Sequence, residues 1–279
     1  MAIELAFEAV GDGPPLVILH GLFGAGRNWA RIARALGDRH RVYLPDARNH
    51  GASPRGQTMS YTEMAQDVLA LIEREQLQRP LLIGHSMGGK TAMTLALEHP
   101  QAISGVAVID IAPERYSDQF SPYMMAMRGF DAAAATGRNE ARQALAQGQE
   151  GDTPVLDFLM QNLRRHDERF DWRLNLLAVA MCMQELCGFP QRLQHRHYEG
   201  PALFLAGTDS AYVQAESHAG IARLFPRAHL EHIDDAGHWV HADQPGALLR
   251  ILRCWLHGHE AGTPRAAVPQ AALAALAAR

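Results

Sequence analysis

The sequence predicts an α/β protein: a mainly parallel sheet flanked by helices and interrupted by an inserted helical cap. Three observations predict it. Short apolar runs alternate with longer amphipathic stretches from Leu16 to Asp110, as strand–helix units of a parallel sheet do. The alternation stops between about Glu114 and Gly200, a stretch rich in Ala, Met, Gln and Arg with helical spacing. It resumes at Pro201 with no linker, which favours an insertion between two strands of one sheet over a separate helical domain. The predicted organisation is a core over 1–113 and 201–260, a cap over 114–200, and an alanine-rich tail over 261–279 read as disordered.

In chain order, residues 3–8 alternate with period two, as expected for a half-buried edge strand. Gly11 to Pro15 reads as a turn and 16–19 as a buried strand ending at His20-Gly21. A helix follows over 29–36 and a strand over 41–44 that closes at Asp46. Helical spacing runs through Met64, Val68, Leu71 and Ile72, then come a strand at 81–83, a helix at 91–98 and a strand at 105–109 that delivers Asp110. After the cap, strands at 202–205 and 229–233 alternate with helices at 217–225 and 245–257.

Hydrophobic residues are 47% and charged residues 20% of the 279, the balance of a globular protein. The formal net charge of -4 comes without a basic block, which argues against nucleic acid as a partner. Three cysteines (Cys182, Cys187, Cys254) make no disulfide framework. With no leader pattern in residues 1–10 and no apolar run long enough to span a bilayer, the reading is cytoplasmic, without stable membrane association. The fifteen histidines are scattered without metal-ligand spacing, so no metal or other cofactor is expected. Nothing here predicts an oligomeric state.

Gly84-His85-Ser86-Met87-Gly88 fits G-x-S-x-G between a predicted strand and a predicted helix. A tight turn there holds the serine in a strained conformation and lifts its hydroxyl to a helix N-terminus, where developing negative charge is favoured. Ser86 is therefore the candidate nucleophile. His20-Gly21-Leu22-Phe23-Gly24 follows the first central strand, where a backbone N–H of an oxyanion hole is expected. Leu22 is the chosen donor with Phe23 possible, and Met87 supplies the second N–H. Gly237-His238-Trp239 follows the last strand, which makes His238 the candidate base over His241 on the same loop. Two residues could orient it. Asp110 ends its strand directly, whereas Asp209 falls one residue short of the common acid position, where Ser210 stands. Spacing favours Asp110 and leaves Asp209 open. Asp46 and Arg48 read as loop anchors rather than as a second polar site. In the cap, Met124, Met125, Met127, Met160, Met181 and Met183, with Phe120, Phe158 and Trp172, offer an adaptable apolar surface. Phe23, Met124, Trp172 and Trp239 are the candidate substrate-binding residues.

The blocks His20 to Gly24, Asp46 to Ser53 and Gly84 to Lys90, with Asp110-Ile111-Ala112-Pro113, Trp172 to Leu176, Ser210 to Val213 and Gly237 to His241, together resemble the YbfF-type esterases of the α/β-hydrolase superfamily. The resemblance runs from about residue 16 to 257. It implies that the acid is Asp110, in the Asp-Ile-Ala-Pro segment, and that the activity is that of an esterase or acyl-CoA thioesterase. The expected function is hydrolysis of carboxylic esters or acyl thioesters of small acyl substrates through a Ser-His-Asp triad and an acyl-enzyme. The competing expectations are a carbon–carbon bond hydrolase or acyltransferase with the same triad, and a slow-turnover ligand receptor on the same fold.

Overall fold

The computed structural model describes residues 1–147, 153–167 and 169–260. The alanine-rich tail over 261–279 lies outside the described residues. The chain runs through strands β1 (Phe7–Val10), β2 (Pro15–Leu19) and β3 (Arg41–Pro45), with helix α1 (Ala30–Leu36) between β2 and β3. Helix α2 (Tyr61–Arg74), strand β4 (Leu81–His85), helix α3 (Met87–Glu98) and strand β5 (Gly105–Ile109) follow. The segment after β5 carries α4 (Ser121–Gly129), α5 (Arg138–Ala146), α6 (Thr153–Met160), the strands β6 (Leu163–His166) and β7 (Arg169–Trp172), and α7 (Leu176–Leu186). Strand β8 (Ala202–Gly207), α8 (Ser217–Leu224), β9 (Ala228–Ile233), α9 (Val240–Asp243) and α10 (Pro245–Glu260) complete it.

Seven strands form one sheet in the order β1-β3-β2-β4-β5-β8-β9. Only β1 is antiparallel to its neighbour; every other pairing is parallel. Side chains of a strand alternate between faces, and here both faces are covered. Val17, Leu82, Val106, Val108 and Phe204 pack under α2, α3 and α8. Leu16, Ile18, Ile83, Ala107, Ile109, Leu203 and Leu205 pack under α1 and α10. That two-sided burial is why the central strands read as continuous apolar runs instead of alternating ones.

Two expectations are corrected. The first strand is Phe7–Val10, not 3–8. Upstream of it, the Ile3 N–H is taken by Asp67 Oδ1 at 2.7 Å and the Ala6 N–H by Ser53 Oγ at 2.9 Å, so side chains replace a ladder. The segment over 114–200 is not purely helical either. β6 and β7 pair antiparallel, with Leu163 opposite Trp172 and Arg165 opposite Phe170. Along β7, buried Phe170 and Trp172 alternate with Arg169 and Asp171, whereas along β6 only Leu163 is buried and Arg165 and His166 are exposed, so the hairpin carries a period-two pattern on one strand only. The helices of the segment share an apolar cluster with core residues Phe23, Met59, Tyr61, Met64 and Met87, which seats it over the carboxyl end of the sheet.

Candidate active site

Ser86 joins β4 to α3 with φ 52° and ψ −118°, a strained conformation for a side chain with a Cβ. The turn is that sharp because the backbones on either side nearly touch. A Cβ on Gly84 would lie 2.3 Å from the Gly88 carbonyl oxygen, and one on Gly88 would lie 2.3 Å from the Leu19 carbonyl oxygen. Only glycine fits both places. Met87 is the first residue of α3, so its amide has no acceptor within the helix and faces the serine end of it.

The structure brings Ser86, His238 and Asp110 together from three separate loops. Ser86 Oγ lies 3.0 Å from His238 Nε2, and His238 Nδ1 lies 2.7 Å from Asp110 Oδ2. Asp110 is fully buried at the end of β5, with φ 51° turning its carboxylate across the top of β8. It accepts from the Gly207 N–H at 3.0 Å and from Ser210 Oγ at 2.5 Å, so three donors converge on one carboxylate. Ser210 stands at the position where the sequence led an acid to be sought, and it serves the acid from the neighbouring strand. Asp209 is exposed. His241 sits elsewhere: its ring stacks on Trp29 at 4.4 Å, and burial followed by repulsion from His238 pushes it down to about 4.

Three further histidines hold the loops around this group. The Ala47 N–H donates to His20 Nε2 at 2.9 Å, so His20 Nδ1 carries the proton and donates to Gly21 O at 2.8 Å. The Phe23 N–H donates to His50 Nε2 at 3.2 Å, and His50 Nδ1 donates to Arg48 O at 2.9 Å. Burial pushes His50 down to about 3, helped by His20, which fits a neutral acceptor. The Phe23 amide is therefore engaged by His50. His85 donates from Nε2 to the carbonyl oxygen of His238 at 2.7 Å, and burial, then His238 and His241, hold it well below its usual range. Sequence reasoning missed this use of His85, although the motif's second position points into the opposite loop. Asp46 and Arg48 anchor the neighbouring loop: Asp46 accepts from the Gly26 and Ala52 amides, and Arg48 pairs with Asp67 at 2.7 and 2.8 Å.

Ser86 and His238 open into a cleft lined mainly by apolar side chains. Its walls are Leu22, Phe23 and Trp29 from the core, Trp239 beside the histidine, and Phe120, Val155, Phe158 and Leu159 from the inserted segment. Of the expected substrate-binding residues, Phe23 and Trp239 line the cleft. Met124 and Trp172 do not: both are buried inside the apolar cluster of the insertion, because they face its own helices and not the serine. Met125 and Met181 are exposed on its outer surface. Among the described residues no group of three His, Cys, Asp or Glu side chains could hold a metal ion. No described helix is long and apolar enough to cross a membrane.

A strained serine at a strand-to-helix turn, under a histidine and a buried carboxylate at the carboxyl edge of a parallel sheet, is a hydrolase arrangement. Residues 14–245 match the family described as alpha/beta hydrolase fold, and the chain belongs to that family. It is similar to the sn-1-specific diacylglycerol lipase ABHD11 of Xenopus tropicalis, 42% identical over 88% of this chain and 79% of the relative. It is 34% identical to the esterase YbfF of Escherichia coli K12, over 88% of this chain and 94% of that one. The solved structure of a marine microorganism esterase superposes with a TM-score of 0.87 at 34% identity, covering 91% of this chain and all of that one (100%). Within its family, the protein is an esterase- or lipase-type hydrolase.

Proposed function

We propose that this hydrolase cleaves carboxylic esters or acyl thioesters of small acyl substrates, with Ser86 as nucleophile, His238 as general base and acid, and Asp110 as the acid of the triad. The observation that carries the reading is the unbroken contact from Ser86 Oγ through His238 to Asp110, at the floor of an apolar cleft. Asp110 accepts the hydrogen bond of His238 Nδ1–H, so the lone pair of His238 Nε2 faces the hydroxyl. His238 removes the proton of Ser86 as Oγ attacks the carbonyl carbon. The oxyanion of the tetrahedral intermediate meets the N–H groups of Leu22 and Met87. His238 then protonates the leaving alcohol or thiol, and the acyl group stays on Ser86 as an ester. Water, activated by the same histidine, releases the acid and restores the serine. Side chains and water supply every atom of this cycle, and no cofactor enters it. The apolar walls from Phe23, Phe120, Phe158 and Trp239 suit an acyl chain, and the diacylglycerol lipase relatives put glycerolipid esters among the substrates to be tried.

The test is labelling and turnover. A fluorophosphonate should modify Ser86 in the native protein, and Ser86→Ala should abolish both labelling and hydrolysis across esters and acyl-CoA thioesters of graded length, with an unchanged melting curve. Labelling at another residue, or a mutant keeping more than about a thousandth of the activity, contradicts the assignment.

A further inference from the structure

Of the 26 basic side chains counted as Lys or Arg, Lys90 is the single lysine; everywhere else this chain uses arginine. It is also nearly fully buried, at 2% exposure. Lys90 stands one turn into α3, where its N–H donates to the carbonyl oxygen of Ser86 at 3.0 Å. Its side chain reaches the other way. Nζ donates to Gly188 O at 2.6 Å and to Cys187 O at 3.1 Å, and lies over the rings of Tyr116 at 4.7 Å and Tyr61 at 5.6 Å.

That cage is the point where the inserted segment leaves and rejoins the core. The outgoing strand of chain and the return meet there, with the Tyr116 N–H donating to Cys187 O at 2.9 Å. Tyr61 of α2 donates to Leu186 O at 2.5 Å, and Arg115 donates to Gln184 O at 3.2 Å. The last carbonyls of α7, orphaned by the end of the helix, are thus met by Tyr61 from the core and Arg115 from the outgoing leg, with the Lys90 cation just beyond, at the negative end of the dipole. A compact ammonium fits between two carbonyls and two ring faces; a broader, planar guanidinium does not. Tyr116 also carries the contact onward. Its hydroxyl accepts from the Ala112 N–H at 2.9 Å and donates to Tyr212 O at 2.6 Å, and the Tyr212 ring stacks on His238 at 3.9 Å.

We propose that Lys90 is a positioning residue for the reaction, pinning both legs of the insertion to the helix that begins at Ser86 and so holding the cleft's apolar roof, Phe120, Val155, Phe158 and Leu159, over the hydroxyl. The kinetic part of this rests on Ser86 being the nucleophile; the mechanical part does not. Burial pushes Lys90 down to about 7, while Cys187 and Glu114 pull it up and Arg115 pushes it down. Tyr61 on α2, Tyr116 on the outgoing leg and Cys187 after α7 are each pushed up by burial, so they stay neutral while the ammonium loses its charge. The pin is therefore charged below about pH 7 and weakens above it.

The test compares Lys90→Met and Lys90→Arg with the native chain. Lys90→Gln, which keeps an uncharged N–H donor group, takes the place of the methionine variant should that fail to fold. Amide exchange in residues 114–118 and 185–189 should speed up at least about tenfold in the variants. KM for a long-chain p-nitrophenyl ester should rise about tenfold or more, while KM for the acetate and the rate of fluorophosphonate labelling stay within about threefold. In the native protein the long-chain KM should climb between about pH 6 and 8.5, and this slope should vanish in Lys90→Met. Native exchange and native long-chain KM in both the arginine and the uncharged variant overturn the proposal. So does an equal loss on both esters with unchanged exchange. If the native protein carries no label at Ser86, the proposed chemistry falls, and the exchange comparison still decides the role of Lys90.

Discussion

Asp110→Asn is the sharpest test of the proposed chemistry, because the surroundings dictate how the amide must sit. The carboxylate receives the Gly207 N–H on Oδ1, and His238 Nδ1–H and the Ser210 hydroxyl on Oδ2. An asparagine has one acceptor and one donor end. With its oxygen toward Gly207, its NH₂ faces His238 Nδ1, which must then accept, and the proton moves to Nε2 where Ser86 needs a base. With its NH₂ toward Gly207, two donors face each other in a fully buried site, a cost of about 1–3 kcal/mol. The structure therefore selects the orientation that holds the imidazole in the wrong tautomer. That exchange in a triad costs about 10⁴ in kcat, or about 5 kcal/mol of barrier. The expected loss is at least a hundredfold (about 3 kcal/mol), with KM little changed and the fold intact by circular dichroism. Asp209→Asn, at an exposed carboxylate, should cost less than about tenfold. Steady-state hydrolysis of a short p-nitrophenyl ester measures both. An Asp110→Asn enzyme within tenfold of native, or the larger loss in Asp209→Asn, refutes the reasoning while leaving Ser86 and His238 in place.

Three other outcomes follow from the same geometry. Phe158 lines the cleft and meets Trp239 at 5.6 Å between ring centres, so Phe158→Ala should move the chain-length optimum toward longer acyl groups, whereas Met124→Ala, buried away from the cleft, should lower stability by about 2–5 kcal/mol with the optimum unmoved. A chain-length profile on both variants checks this, and a shift in the second without the first reverses the assignment of the walls. His50 is held neutral to about pH 3, below its unfolded value near 6.5, so its contribution to stability is complete above pH 6.5 and is lost as pH falls toward 3. Unfolding free energies from urea titrations between about pH 6.5 and 4 should drop less steeply in His50→Gln, by about 1.4 kcal/mol per pH unit, and parallel curves would show that His50 is protonated in the fold.

The reach of the sequence is clearest where chemistry is local. Ser86 was legible because its signature lies within five residues, with glycine at 84 and 88; the space at Gly84 is closed by Gly88 and that at Gly88 by the more distant Leu19 carbonyl. The sheet was legible because its strands are buried on both faces and read as apolar runs. The hairpin over 163–172 was not, since only its second strand alternates, over four residues, and its first carries one buried residue, Leu163, before two exposed ones. Met124 and Trp172 looked like pocket residues by type, yet which face of an inserted helix looks at Ser86 depends on how that segment docks, and composition holds no record of docking.

By itself, then, the sequence pointed to the class of the fold, the strained serine at the head of α3 and the histidine on the last loop, because each is marked by a short run of residues contiguous along the chain. Only the tertiary structure decided between Asp110 and Asp209 as the partner of His238. The register of β5 against β8 sets that choice: it puts the end of β5 beside Gly207 and Ser210, buries one carboxylate under three donors, and leaves the other in water. The same holds for His20, His50, His85 and Lys90, whose partners lie 27, 27, 153 and 97 or 98 residues away in sequence. Side chains of this kind act at a distance set by folding, and their roles become visible only when the chain has closed on itself.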